Sequence, residues 1–334
     1  MTAKPNALRG VLAGWSGVNV FKLAAALTIV LAVQTVPPMR ALADDCLSDP
    51  TTKYRPIPGL NNSGFPICHL AANDANKAAY TAMQSRHILE AYSQFLSPLH
   101  LTHPLLLVAL NCQPTFHSDS PFYSSGDRAL HFCYEWYKDV LAAAPTATTP
   151  EGVTRENVIT GMWAGTLLHE TGHAIFDMLD VPVFGREEDA ADQMAAFIAL
   201  QFNKDVQRTI IKGFAYFWQM EAQNGADPPT ANDPNPPKDA TQRCLNDPLC
   251  AYSDEHGTAS QRLYNTLCLG FGGDPDAFKD LVQKGWLPKT RADDCGREYL
   301  QLKLAFGKTV MPFVDAEMMK KVQTTPWLLP QEMQ

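Results

Sequence analysis

The sequence contains no apolar run long enough to cross a bilayer. The one candidate, residues 23–33, has 11 residues, whereas a membrane-spanning helix needs about 20. Positive charge is also scarce, because 35 Asp and Glu outnumber 27 Lys and Arg. An acidic chain is a poor partner for nucleic acid or for an anionic membrane surface. We therefore expect no nucleic-acid partner and no membrane insertion of the chain that follows this run.

The short apolar run fits a secretory signal peptide. Three basic residues precede it, and Ala41-Leu42-Ala43 places small side chains at the −3 and −1 positions of a cleavage site. These features predict a signal peptide over residues 1–43 and an exported protein, periplasmic or extracellular. An uncleaved N-terminal anchor is the alternative. Four positive charges and no acids lie before Asp44, so the remaining 291 residues carry a formal charge of −12.

The chain also lacks the CxxC pairs that are typical of structural metal sites. Its eight cysteines all follow residue 43, and an even number in an exported chain indicates disulfides rather than a second metal site. Connectivity does not follow from one sequence. Proximity along the chain favours four pairs: Cys46–Cys68, Cys112–Cys133, Cys244–Cys250 and Cys268–Cys295.

One pentapeptide indicates chemistry: His169-Glu170-Thr171-Gly172-His173. Two histidines four residues apart share a helix face, so both imidazoles can bind one metal ion, and the glutamate between them can contact a water. Apolar residues recur at helical spacing from Val158 to Leu179, which predicts a mostly buried helix of about 20 residues. The alternative is a helix whose two histidines are ordinary core or surface residues.

A catalytic zinc site needs a third protein ligand, and an acidic cluster supplies candidates. The first helix should end before Pro182, and a second helix should begin at Arg186. Glu188 and Asp192 are four residues apart, so they share a face of that second helix. We expect Glu188 to bind the metal and Asp192 to accept the far N–H of a ligating histidine.

Two alternatives to this ligand set stay open. Glu187 or Asp189 could bind in place of Glu188, or the cluster could serve only the positive end of the helix dipole. The extended layout HExxHxxGxxH is excluded, because Phe176 and Leu179 occupy the positions of its Gly and His. We expect one Zn²⁺ per monomer, because three protein ligands and a water complete a tetrahedral catalytic site.

This ligand set resembles that of the glutamate-ligand zincins, whose second helix carries Glu-x-x-x-Asp. The HExGH motif with GREEDAADQ at 185–193, followed by matching residues between 254 and 268, resembles a bacterial family of secreted, metallopeptidase-like proteins. That family is known mainly as a domain of unknown function, and the resemblance covers about residues 75–310. It implies a zincin-like fold in which a substrate strand is added to a sheet edge beside the active helix. The segment 122–132 is the candidate edge.

Periodicity predicts an α+β fold that is mainly helical, with a small sheet packed beside the HExxH helix. Residues 105–110 and 129–133 are predicted to be neighbouring buried strands, residues 75–95 are helical, and helices dominate from residue 134. Residues 44–334 should form a single metallopeptidase domain. Within it we expect an irregular N-terminal segment over 44–72 and an exposed, Pro-rich loop over 226–240.

The sequence therefore predicts a secreted zinc-dependent peptidase that hydrolyses bonds in a peptide or protein substrate through a metal-activated water. Glu170 is the predicted general base. His256, Tyr252 or Tyr264 could stabilise the oxyanion, and His256 is the one that we assign, although it could equally be a polar residue near a helix start. The other histidines lack ligand spacing and are predicted to be structural: His69, His87, His100, His103, His117 and His131.

A zinc-stabilised but catalytically silent binding or inhibitory protein is the alternative function. The two hypotheses differ in what they require at Glu170, because a silent site has no need of a general base beside the metal. The presence of Glu170 in the motif favours the enzyme.

Overall fold

The computed structural model describes residues 65–113, 118–226 and 255–324. In these ranges a small sheet comes first and helices dominate the rest, which confirms the mainly helical α+β class. The strands are β1 (Ile67–His69), β2 (Leu106–Leu110), β3 (Phe122–Ser124) and β4 (Ala129–Cys133). The α-helices are α1 (Lys77–Ser85), α2 (Ile88–Leu96), α3 (Tyr134–Ala143), α4 (Arg155–Met178), α5 (Glu187–Ala199), α6 (Lys204–Glu221), α7 (Ala259–Gly273), α8 (Pro275–Gln283), α9 (Lys289–Thr309) and α10 (Ala316–Thr324).

The sheet has the strand order β1-β2-β4-β3. Its two central strands, β2 and β4, are parallel neighbours and are buried along their whole length. A continuous apolar run such as Leu106–Leu110 is typical of a strand that is covered on both faces. The short strand β3 pairs antiparallel with β4 and forms an outer edge of the sheet.

The structure corrects three sequence predictions about this region. Part of the segment 44–72, predicted to be irregular, forms β1, a strand of only three residues whose pattern is too short to identify by periodicity. The predicted edge 122–132 is reduced to β3, because β4 lies between β2 and β3. The helical stretch 75–95 is two helices, because His87 has a positive φ of 53° that interrupts the helical backbone.

The 24-residue helix α4 is the longest helix within the described residues. It begins with a capping box between Thr154 and Asn157, and almost all of its residues are buried. Helix α6 crosses it closely, because a side chain at Gly161 would meet the backbone of Gly213. Helix α5 packs on another part of α4, so the C-terminal half of α4 is held between neighbouring elements.

Two disulfides are formed within the described residues, and both are pairs favoured by sequence proximity. Cys112–Cys133 joins the ends of the neighbouring strands β2 and β4, and Cys268–Cys295 joins α7 to α9. Cys46, Cys244 and Cys250 lie outside the described residues, as do the predicted signal peptide, most of the segment 44–72, and residues 227–240 of the Pro-rich loop. Among the described residues, no helix combines the length and apolarity needed to cross a membrane.

Candidate functional site

The HExxH motif lies in the last three turns of α4, and α5 faces it. Gly172, inside the motif, permits this approach, because a Cβ at that position would lie 3.0 Å from the Cα of Ala191. The loop between the helices turns at Gly185, which has a φ of 110°. As a result the acidic first two turns of α5 lie beside His169 and His173.

Three side chains converge as a possible metal centre: His169, His173 and Glu188. The two Nε2 atoms are 3.2 Å apart. The carboxylate of Glu188 places Oε2 at 3.0 Å from Nε2 of His169 and Oε1 at 3.4 Å from Nε2 of His173. Ligands of a tetrahedral ion with bonds of 2.0–2.1 Å are separated by about 3.3 Å. Both the spacing and the donor atoms fit a divalent metal ion.

Each of the two histidines has a carboxylate on its other ring nitrogen. Nδ1 of His169 lies 2.9 Å from Oδ1 of Asp192, the partner that helix spacing predicts. Nδ1 of His173 lies 2.8 Å from Oε1 of Glu187. The structure therefore places Glu187, an alternative ligand in the sequence, in an outer position. Asp189 pairs with Arg186 and is not one of the three converging side chains.

Glu170 faces the same cleft but stands outside the group of three. Its side chain is buried, with Oε1 4.0 Å from Nε2 of His169. Its other oxygen, Oε2, accepts a hydrogen bond of 2.8 Å from the backbone N–H of Tyr123 in β3. One carboxylate oxygen is thus fixed by the sheet edge, and the other is close to the candidate metal position.

His256 lies at the cleft, on the segment just before α7. Its Nε2 is 3.0 Å from Oε2 of Glu188, and its carbonyl accepts a hydrogen bond from Nη1 of Arg186. Of the other two oxyanion candidates, Tyr264 is partly exposed and does not line the cleft, and Tyr252 lies outside the described residues. His256 is the one that the structure brings to the site.

The cleft itself has a volume of about 690 Å³. One wall is formed by α4 and the start of α5, with the apolar side chains of Val181 and Val183 between them. The facing wall is formed by the segment 118–125, which includes β3. The phenol of Tyr123 donates to Oδ2 of Asp177, which joins the two walls a second time. The arrangement leaves an open groove between an edge strand and the HExxH helix.

Burial and charge act against each other in this cluster. Burial raises the pKa of Glu170. Burial also disfavours a charged His169, but hydrogen bonds to Asp192 and Glu188 outweigh it and raise the pKa of this histidine to about 9. Burial alone would raise the pKa of Glu188, but hydrogen bonds from His169, His173 and His256 outweigh it. The pKa of Glu188 is therefore lowered. A metal ion would have to displace a proton from His169, so its affinity should depend on pH.

Sequence reasoning missed Arg262, Tyr123 and the outer role of Glu187. Arg262 bonds to Asp192 across 70 residues of sequence, and Tyr123 reaches Glu170 across 47. No periodic pattern connects such distant positions. Glu187 could have been found, since residues 14 apart on two antiparallel helices can meet once the loop length is known. Of the six histidines predicted to be structural, His131 in β4 is buried and contacts Asp127, which precedes that strand, and His117 lies outside the described residues.

Comparison with known proteins gives one match. The family model DUF4344, described as "Putative metallopeptidase", matches residues 69–308. This range includes the four strands except for part of β1, and every side chain of the candidate site. No curated protein and no solved structure matches the chain.

Proposed function

Because the chain belongs to the DUF4344 family of metallopeptidase-like proteins, we propose that it is an exported, zinc-dependent peptidase with Glu170 as its general base. The observation that carries this proposal is the placement of Glu170: it shares the cleft with His169, His173 and Glu188 but is not one of the converging ligand side chains. A site that only bound metal would have no use for a carboxylate held in this position.

Zinc is the ion that best suits the donor set, because two imidazoles and one carboxylate are a common protein ligand set of catalytic zinc sites. When bound, zinc supplies a Lewis acid that polarises a carbonyl and lowers the pKa of water toward neutrality. In our proposal His169, His173 and Glu188 hold the ion. Asp192 and Glu187 orient the two imidazoles through Nδ1.

Glu170 would take the proton from the attacking water and pass it to the leaving amine. The hydrogen bond from Tyr123 supports this role, because it holds one carboxylate oxygen and leaves the other facing the cleft. His256 is the proposed donor to the oxyanion, since its side chain is part-exposed at the cleft beside Glu188.

We propose that the groove takes a polypeptide substrate. The N–H of Tyr123 donates to Glu170, so this edge of β3 is turned toward the cleft and not toward β4. An extended peptide could pair with β3 through backbone hydrogen bonds, and such pairing gives affinity with little side-chain selectivity. This part of the proposal follows the analogy with glutamate-ligand zincins.

Export is proposed from the predicted signal peptide over residues 1–43 and from the disulfides Cys112–Cys133 and Cys268–Cys295. Structural disulfides persist in oxidising compartments such as the periplasm or the medium. Residues 44–334 would then be the mature protein, with a single metallopeptidase domain.

The first test is metal content and peptide cleavage by the chain from Asp44 onward, purified with its disulfides intact. We expect about one zinc per chain after loading, and cleavage of an unbiased peptide library that a chelator abolishes and added zinc restores. Folded protein that takes up no metal would disprove the proposal. Tight zinc binding without cleavage, together with capture of a partner protein, would favour the catalytically silent binding protein.

The second test is Glu170→Gln, which keeps the size of the side chain but removes the base. We expect normal folding, nearly normal zinc content and a loss of peptide hydrolysis of at least about 10²-fold. Full activity in this variant would exclude Glu170 as the base.

A further inference from the structure

We infer that Arg262 is a positioning residue of the metal centre, acting through Asp192 on His169. The inference deepens the proposed function, because it rests on His169 being a metal ligand. It concerns a residue from α7, a helix that supplies none of the converging ligand side chains.

Arg262 binds Asp192 with both arms of its guanidinium. Nε lies 2.6 Å from Oδ2 and Nη2 lies 2.7 Å from Oδ1. Such a fork fixes the plane of a carboxylate as well as its position. Nη2 is also 3.4 Å from Nδ1 of His169, so the three groups are in mutual contact. Oδ1 of Asp192 is therefore in contact with both Nη2 of Arg262 and Nδ1 of His169.

The guanidinium is itself held in place. Its central carbon lies 3.6 Å from the ring centroid of Trp218 on α6, which is a close cation–π contact. The relative exposure of Arg262 is 6% and that of Asp192 is 5%, so both charges are removed from water. Helices α5, α6 and α7 each contribute one member of this stack. The position of Asp192 is thus set by three helices rather than by its own rotamer.

Burial makes the pair interdependent. A buried carboxylate without a compensating cation is strongly disfavoured, and removing one partner of a buried pair is strongly destabilising. Asp192 needs Arg262 to hold the plane of its carboxylate, and His169 needs Asp192 to fix its ring orientation. A lysine could supply the charge but not the fork, because its ammonium is a single point of donation.

Arg262 and His256 lie close together in sequence, on either side of the start of α7. Helix α7 starts at Ala259 with a capping box between Thr258 and Gln261, directly after the segment that carries His256. Arg262 lies in the first turn of the same helix. The first turn of α7 therefore carries the arginine that supports His169, and it directly follows the segment whose histidine contacts Glu188.

The chain offers a matched control in Arg208. It also forks a carboxylate, with Nη1 and Nη2 each 2.8 Å from an oxygen of Asp280, and its guanidinium lies 5.8 Å from the ring centroid of Phe278. These partners lie on α8, outside the cleft lining. Arg208→Met removes a comparable fork without touching Asp192.

The experiment measures zinc affinity by chelator competition, and the visible spectrum of cobalt-loaded protein, in Arg262→Met, Arg262→Lys and Arg208→Met. Folding of each variant is checked first by circular dichroism. We expect Arg262→Met to weaken zinc about 10- to 100-fold, as loss of an outer support does, and to change the cobalt spectrum. Arg262→Lys should recover part of the affinity but not the spectrum. Arg208→Met should lower the Tm and leave both metal readouts unchanged.

Because Arg262→Met could fail to fold, the experiment also includes Asp192→Asn and the double variant Asp192→Asn/Arg262→Met. Together the variants form a double-mutant cycle for zinc affinity. If the arginine acts through Asp192, the double variant should bind zinc about as weakly as Asp192→Asn alone.

Additive effects in this cycle, or wild-type affinity and spectrum in Arg262→Met, would overturn the inference and leave the proposed function intact. Equal weakening by Arg208→Met would also overturn it, because a general loss of stability would then explain the result. Absence of metal binding in the wild type would overturn both proposals.

Discussion

The two walls of the cleft are held in very different ways. On the helix wall, each histidine of the motif has a carboxylate on its Nδ1, and Asp192 is held in turn by Arg262, whose guanidinium lies over the ring of Trp218. On the strand wall, β3 has three residues and contacts the HExxH motif through one backbone hydrogen bond, from Tyr123 to Glu170. The helix wall is fixed by several layers of contacts, whereas the strand wall is fixed by few.

This difference matches what each wall has to do in the proposed reaction. A metal centre loses affinity when its ligands move by a fraction of an ångström, so supports behind the ligands are useful. An edge strand must keep its backbone groups available for an incoming peptide, so it cannot be covered on its outer side. The contrast predicts that changes on the helix wall will alter metal affinity, and that changes on the strand wall will alter catalysis with the metal retained.

The largest effect should come from Glu188→Ala on the helix wall. This change removes a proposed ligand, so the loss of zinc affinity should exceed the roughly 10- to 100-fold cost of losing an outer partner, and peptide cleavage should be lost with the metal. Chelator competition measures the affinity. The neighbouring variant Glu187→Ala is the control: its carboxylate contacts Nδ1 of His173 and is half exposed, so one zinc should still bind, about 10-fold more weakly. If Glu187→Ala weakened zinc binding more than Glu188→Ala, Glu187 would be the ligand instead of Glu188.

On the strand wall, Tyr123→Pro removes the N–H that donates to Glu170. Proline is tolerated on an edge strand when its missing N–H points away from the sheet. A hydrogen bond to a charged group contributes about 1.5–3 kcal/mol, so kcat/KM should fall about 10- to 100-fold with zinc affinity unchanged.

Tyr123→Phe is the control for that change, because it keeps the N–H and removes only the bond from the phenol to Asp177. Its kcat/KM should stay within about threefold of the wild type, since this bond is exposed and water can replace the phenol as the donor to Asp177. Equal losses in the two variants would assign the effect to the side chain rather than to the backbone.

A smaller effect is expected from Gly172→Ala, which tests how closely α5 must approach α4. The added Cβ would lie 3.0 Å from Cα and 3.3 Å from Cβ of Ala191, so α5 must shift by a few tenths of an ångström. Overpacking of this kind costs about 1–3 kcal/mol, and Glu188 moves with the helix, so zinc affinity should fall as the Tm falls. Gly307→Ala is the control, because nothing lies within 4 Å of the new Cβ. It should raise the Tm and leave the zinc affinity unchanged.

The smallest effect on the cleft should come from Asp280→Asn, far from both walls. Hydrogen bonds from Arg208, together with the charge of Lys212, hold the pKa of this carboxyl below its ordinary value. Its contribution to stability is therefore present above the pKa of the unfolded chain and is lost as the pH falls through the folded-state pKa. At pH 7 the variant should be less stable by about 1.5 kcal/mol. The difference in unfolding free energy between the wild type and this variant should narrow below about pH 4. A difference that widened in acid would contradict a stabilising role for the ionised Asp280.

Much of the fold could be predicted because its signals are local. The run Leu106–Leu110 and the helical spacing through α4 are each contained in one segment, and the strand and helix lie where those patterns put them. The three-residue strand β1 could not be predicted, since three residues show no period, and the break at His87 could not, since a positive φ has no signature in a histidine. The parallel pairing of β2 with β4 depends on the path of the chain between them.

The candidate site shows the same difference between relations within one segment and contacts between distant segments. By itself, the sequence determined which residues share a helix face: His169 with His173, and Glu188 with Asp192. The period of the α-helix dictates such relations within a segment. Only the tertiary structure decided that Glu187 lies behind His173, that Tyr123 holds Glu170, and that Arg262 holds Asp192. Contacts between distant segments depend on how all the buried surfaces pack at once, and no short stretch of sequence contains that information.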